Sequence, residues 1–178
     1  RIICRQKWPK GCAKRISHQK IRTFMTINPE LGHFALILAL CLALLQATVP
    51  IMGSYLGLER WMRVGQSLAL GHFVFVLISF AALAAAFLND DFSVRYVMQN
   101  SNKILPDHFK FSAVWGAHEG SLLLWSLILA GWSAAVALFC RRLPTIFLAR
   151  VLSVMAMIAV GFCLFLLITS NPFERICA

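Results

Sequence analysis

The sequence is short of charge. Only 13% of its 178 residues are Asp, Glu, Lys or Arg, while 60% are hydrophobic and the mean hydropathy is +0.75. An ordinary soluble domain carries about 25% charged residues. The shortage excludes a soluble globular domain, and the hydrophobic content excludes a disordered tail. Acids are scarcest: the chain has seven, and none lies in the first 24 residues. There Arg1, Arg5, Lys7, Lys10, Lys14, Arg15, Lys20 and Arg22 make a segment of charge +8, whereas residues 25–178 hold nine basic and seven acidic groups. The pI near 9.9 therefore describes one short segment. A basic segment can meet nucleic acid or anionic lipid. No helix-turn-helix, finger or aromatic RNA-binding motif accompanies it, so membrane lipid is the expected partner and nucleic acid is not.

Cysteine pattern is also missing. Cys4 and Cys12 lie in the basic segment, Cys41, Cys140 and Cys163 within or beside apolar runs, and Cys177 is next to last. No CxxC, CxxCH or paired zinc spacing exists, which leaves small apolar residues in helix or lipid contacts. Polar and apolar residues do not alternate, and Ala and Leu dominate, which argues against barrel strands.

What is present is four long apolar runs: Leu31–Val49, Val64–Leu88, Gly120–Phe139 and Val151–Phe173. A hydrocarbon core of about 30 Å needs roughly 20 helical residues. The expected fold is all-α, a polytopic membrane protein with four transmembrane helices. Asn28-Pro29-Glu30 reads as a helix start, with a capping Asn, a Pro in the first turn and an acid at the positive dipole end. Pro50 reads as the stop of the first run. Arg141 and Arg142 suit the C-terminus of the third, Pro144 breaks the chain before the fourth, and Asn171-Pro172 closes it. Residues 1–24 lack periodicity and capping signals and read as a non-native or unstructured extension. Met25 then reads as the natural start of a four-helix unit spanning 25–178.

Loop charge gives a lean in topology. Arg60, Arg63, Arg141, Arg142 and Arg150 share one side, and Arg95, Lys103, Lys110 and Arg175 the other. By the positive-inside rule the first and third loops are expected to be cytoplasmic, placing Met25 and the Phe92–Phe111 loop outside. Counting residues 1–24 reverses the lean.

Most of the functional signal lies in the second loop and third run. It runs from Asn89-Asp90-Asp91 to Trp115-Gly116-Ala117-His118-Glu119-Gly120-Ser121-Leu122-Leu123-Leu124-Trp125. On a helix Trp115, His118, Leu122, Trp125, Leu129 and Trp132 share one face. Ser112, Gly116 and Gly120 form a row of small residues that lets another helix come close, the first or fourth being expected. The Trp face reads as packing, interfacial anchoring or a cofactor wall. The His118–Glu119 pair reads as a hydrogen-bonded hinge, a haem- or quinol-facing polar site, or a partner contact. His33 and His72 near span ends read as structural histidines, and His108 as solvated. Asp90-Asp91 reads as a surface turn, since no third metal ligand stands nearby.

The Trp115–Trp125 stretch resembles the CcmF/NrfE haem lyase family of cytochrome c maturation. So do Pro29-Glu30-Leu31-Gly32-His33, Ala149-Arg150-Val151-Leu152 and Thr169-Ser170-Asn171-Pro172-Phe173. The resemblance runs from Met25 to about Arg175. It implies a bacterial inner-membrane, multi-pass subunit with a periplasmic N-terminus, part of a complex attaching haem to apocytochrome c at CxxCH. The implied partners are the rest of the lyase chain or complex, a haem chaperone and apocytochrome c. The family's tryptophan-rich platform and paired haem-ligating histidines match nothing in this sequence. No haem ligand is therefore mapped, no catalytic or metal residue is assigned, and no cofactor is expected for this segment alone. The expectation is an N-terminal fragment inactive by itself. Trp115, Gly116, His118, Glu119, Gly120, Ser121 and Trp125 are the motif of possible function. The rival is a stand-alone four-span transporter or channel subunit. It is disfavoured because no apolar run has a charge or proline at its centre. A quinone-reactive redox subunit is a third reading.

Overall fold

A computed structural model describes residues 29–88, 114, 116, 118–140, 143–170 and 172–173 of the chain. The basic extension, Asn28, most of the second loop, Trp115, Arg141 and Arg142 lie outside the described residues. Among the described residues four helices follow one another: α1 Pro29–Leu56, α2 Glu59–Leu88, α3 His118–Phe139 and α4 Thr145–Ile168. Each is long and apolar enough to cross a membrane. In hydrocarbon no water can satisfy the backbone, so an uncharged run of this length closes its own hydrogen bonds as a helix. The all-α, four-span architecture expected from the sequence is the one observed.

Helix boundaries depart from the apolar runs. α2 begins at Glu59, five residues before its uncharged stretch, where an acid favours the helix N-terminus. The Glu59–Arg63 ion pair, 2.8 Å long and one turn apart, adds local support on an exposed surface. α4 begins at Thr145 with Pro144 at its N-cap and ends at Ile168, short of Asn171-Pro172.

Pro50 does not stop α1, which continues to Leu56. Proline has no N–H for the carbonyl four residues back, here Gln46 O. That carbonyl accepts a hydrogen bond from Ser153 Oγ on α4, at 3.4 Å. The neighbouring helix thus supplies the donor that the sequence rule treats as lost. The true stop is Gly57, at φ +68°, a left-handed position that glycine takes without penalty. Leu58 N donates to Gly53 O at 3.0 Å and turns the chain into α2.

Small residues bring the helices together along much of the interior. Ala39, Ala69, Ala82, Ala86, Ala130 and Ala156 are buried between helices. Lipid tails give helices no hydrophobic reason to associate, so close backbone approach and interhelical hydrogen bonds must hold them. α1 packs on α2 and α4, and α3 packs on α2 and α4. The largest cluster gathers Leu36, Leu83, Phe87, Val114, Leu123, Cys163, Leu166 and Phe173 at one end of the bundle. At the opposite end Arg150 Nε donates to Ser54 Oγ at 3.0 Å, tying α4 to α1.

Gln46 joins three helices. It is fully buried, and its Nε2 donates to Ser133 Oγ of α3 at 3.0 Å and to Leu152 O of α4 at 3.2 Å. Interhelical hydrogen bonds in membranes average about 0.6 kcal/mol each. Gln46→Leu is therefore expected to lower bundle stability by about 1 kcal/mol, measurable as an earlier unfolding midpoint in mixed detergent titration. A midpoint equal to wild type would show these bonds to be energetically idle.

Candidate functional site

The sequence motif enters the bundle at the start of α3. Val114 is buried in the main cluster, Gly116 is exposed in a turn, and His118 opens the helix, also exposed. The His118 ring meets Phe165 of α4 edge-on, with centroids 6.1 Å apart and planes at 80°. Glu119 is half-buried, Gly120 buried and Ser121 half-buried. Glu119 lies in the first turn, where the helix dipole favours a carboxylate. The motif is thus a helix start that exposes one imidazole against Phe165 of α4 and holds a half-buried carboxylate in its first turn.

Two small-residue patterns separate in the structure. Gly120 is buried as the row required, whereas Gly116 lies before the helix and Ser112 lies outside the described residues. The buried stripe of α3 continues instead through Leu123, Ser126, Ala130, Ser133, Ala134 and Ala137. It faces α2 and α4: Leu123 packs with Leu83 and Leu166, and Ala137 with Ala69 and Leu148. The fourth helix was an expected neighbour. The second was not, because a row of small residues marks a contact without naming the partner.

The aromatic face is real but does not pack inward. Trp125 is 62% exposed and Trp132 65% exposed, with Ile128 between them also exposed. Among the described residues of this face, Leu122 leans on the main cluster. The Trp125 indole lies on the outside of the four-helix unit and packs against none of its buried clusters.

The histidines are dispersed. His33 is half-buried near the start of α1. His72 is the fourteenth of the 30 residues of α2, close to its middle rather than near a span end, because α2 starts before its apolar run. It is buried, and its Nδ1–H donates to Ala39 O at 3.0 Å while Nε2 has no partner. Sequence reasoning had no signal for this hydrogen bond or for the Gln46 junction, since their partners lie 33 to 106 residues away. No group of three or more His, Cys, Asp or Glu side chains converges among the described residues. Bis-histidine haem ligation needs two facing imidazoles, and the enclosed His72, sealed beneath α1, gives a porphyrin no access. The isolated chain is expected to show no bis-histidine Soret band. A band lost in both His33→Ala and His118→Ala would overturn that.

No protein-family model matches the chain. Individual proteins do. The "Cytochrome c-type biogenesis protein CcmF" of Pseudomonas aeruginosa is 61% identical over 148 residues, which are 83% of this chain and 22% of that protein. The chain is a homologue of the CcmF and NrfE proteins. The CcmF of Escherichia coli is 48% identical over 147 residues, and the NrfE of Haemophilus influenzae 40% over 148. A solved structure of "Cytochrome c Heme Lyase CcmF" superposes with a TM-score of 0.78 at 30% identity, covering 84% of this chain and 25% of that one. The chain spans about a fifth of the length of these curated relatives, 22% to 23%. The CcmF-like resemblance of the motif and the multi-pass membrane architecture are thus both supported by whole-segment similarity.

Proposed function

We propose that this segment is the four-helix scaffold of a CcmF-type haem lyase, holding a helix mouth beside the site where haem is joined to apocytochrome c. The observation that carries the reading is the 61% identity to Pseudomonas aeruginosa CcmF over 148 residues, 83% of the chain. The fold agrees with it, since the match to the solved haem lyase covers the same proportion of the chain. The substrates are haem and the CxxCH cysteines of apocytochrome c. The partners are the remainder of the lyase, a haem chaperone and the apocytochrome. In the proposed topology the protein sits in a bacterial inner membrane with its N-terminus and the Phe92–Phe111 loop on the periplasmic side, and His118 and Glu119 open towards that side. Arg60, Arg63 and Arg150 gather at the opposite end of the bundle, where the positive-inside rule places a cytoplasmic face. Residues 1–24 take no part.

The test is a chimera in which residues 25–175 replace the matching stretch of Pseudomonas aeruginosa CcmF. Covalent haem on a reporter cytochrome c is then measured in a strain lacking its own CcmF. Restored haem attachment is the expected result. A chimera that accumulates normally and attaches none would sink the proposal.

A further inference from the structure

We infer that the exposed tryptophan face of α3 is the docking surface for a further membrane helix of the CcmF-type lyase, one offering hydrogen-bond acceptors to Trp125 and Trp132. The inference deepens the proposed function and rests on it. Trp125 and Trp132 are seven residues apart, two turns along one face, and both are mostly exposed. At 1.5 Å per residue each lies about 5 Å from the midpoint of α3, well inside a core whose half-thickness is about 15 Å. Tryptophan that anchors a helix to lipid belongs at the interface, where its N–H meets water or headgroups. Trp61, in the first turn of α2, has such a place. Trp125 and Trp132 do not, and neither indole N–H meets an acceptor among the described residues.

The other outward faces differ at this depth. α4 presents Val154, Met157 and Ile158, and α2 presents Val74 and Leu77, with no polar atom to satisfy. On α1 the exposed Thr48 hydroxyl donates to Leu44 O of its own helix at 2.9 Å. Hydrocarbon therefore suits those faces, whereas α3 holds two donors that hydrocarbon cannot serve. The occupant is a helix with hydroxyls or free carbonyls at matching two-turn spacing and small residues between them, so that the flat rings lie against its backbone. The relatives supply the source, being more than four times as long as the stretch this chain matches. A helix there would give α3 a further contact beside its stripe of Ser126, Ala130 and Ser133, which is already occupied.

The experiment co-expresses the full 178-residue chain with Pseudomonas aeruginosa CcmF lacking its matching stretch. A photocrosslinking p-benzoylphenylalanine is placed at Trp125, Trp132 or, as control, Met157. The expected result is a crosslink to the complementary chain from 125 and 132 and none from 157. Trp125→Phe with Trp132→Phe keeps a benzene ring at each position and removes both donors along with the pyrrole half of each indole. It is expected to lower recovery of the complementary chain about sevenfold, the equivalent of two average interhelical hydrogen bonds. Crosslinks to a second copy of this chain, to lipid alone, or equally from 157 overturn the docking face, as does failure of the two chains to co-purify. Haem attachment to a reporter cytochrome is read in parallel. Attachment with crosslinks elsewhere rejects the docking face and keeps the lyase reading. Crosslinks at 125 and 132 without attachment do the reverse.

Discussion

Gly65→Leu is expected to prevent the four-helix unit from accumulating, and Gly65→Ala to destabilise it by about 1–3 kcal/mol. A Cβ at position 65 would lie 2.7 Å from Pro50 Cγ and 3.2 Å from Pro50 Cβ. A flexible side chain would rotate away, but the pyrrolidine ring is fused to the backbone of α1 and cannot. The two helices would have to separate. Leu152 of α4 stands at the edge of the same contact, 4.0 Å from the added Cβ, and its carbonyl accepts from Gln46. Separation would therefore also strain the junction linking α1, α3 and α4. Gly161 is the control: it is exposed on α4, and an added Cβ meets nothing within 4 Å. Gly161→Ala should leave stability unchanged or slightly raised, since alanine favours the helix. Unfolding midpoints in mixed detergent and membrane-fraction protein levels check both. Gly65→Ala with a wild-type midpoint would mean that α1 and α2 are not pressed together at Pro50.

This contact also explains why the sequence rule for Pro50 failed. Read locally, a proline after an apolar run ends it. In the bundle Pro50 is buried against the gap left by Gly65, and the carbonyl it strands is served by Ser153. Both partners are distant in sequence, so no window around Pro50 contains the reason for the helix to continue. The four spans were legible for the opposite reason. Bilayer thickness is an external ruler, and an uncharged run of that length has few alternatives to a helix. The α3 aromatic residues were legible as one face by spacing alone, but spacing cannot tell inside from outside. The motif itself was legible as a family resemblance. Its placement beside Phe165 and the main cluster needed the packing of α4, which no residue of the motif specifies.

In a complete lyase carrying this segment, His118→Ala and Glu119→Gln are expected to leave protein level intact but cut covalent haem on a reporter cytochrome, by tenfold or more if the pair faces the reaction, a factor of ten being about 1.4 kcal/mol. Gly120→Leu is expected to do the reverse, lowering protein level in proportion to lost haem attachment. The structure separates these outcomes. His118 is exposed and touches Phe165 only edge-on, so truncating it opens no cavity. Glu119→Gln keeps the shape of the half-buried side chain and removes only its charge at the helix N-terminus, worth up to about 2 kcal/mol in a partly buried geometry. Neither loss is large enough to unfold a four-helix unit. Gly120 is buried three residues before Leu123, in the stripe that α3 turns towards α2 and α4. A leucine there adds a bulky side chain at a buried position, and close approach is what membrane helices rely on for association. Protein level and haem attachment measured in the same cells decide the matter. Normal attachment in both His118→Ala and Glu119→Gln would make the helix mouth a structural element only. Loss of protein in those two variants would make it a folding element, and the reaction would then have to be sought elsewhere in the lyase.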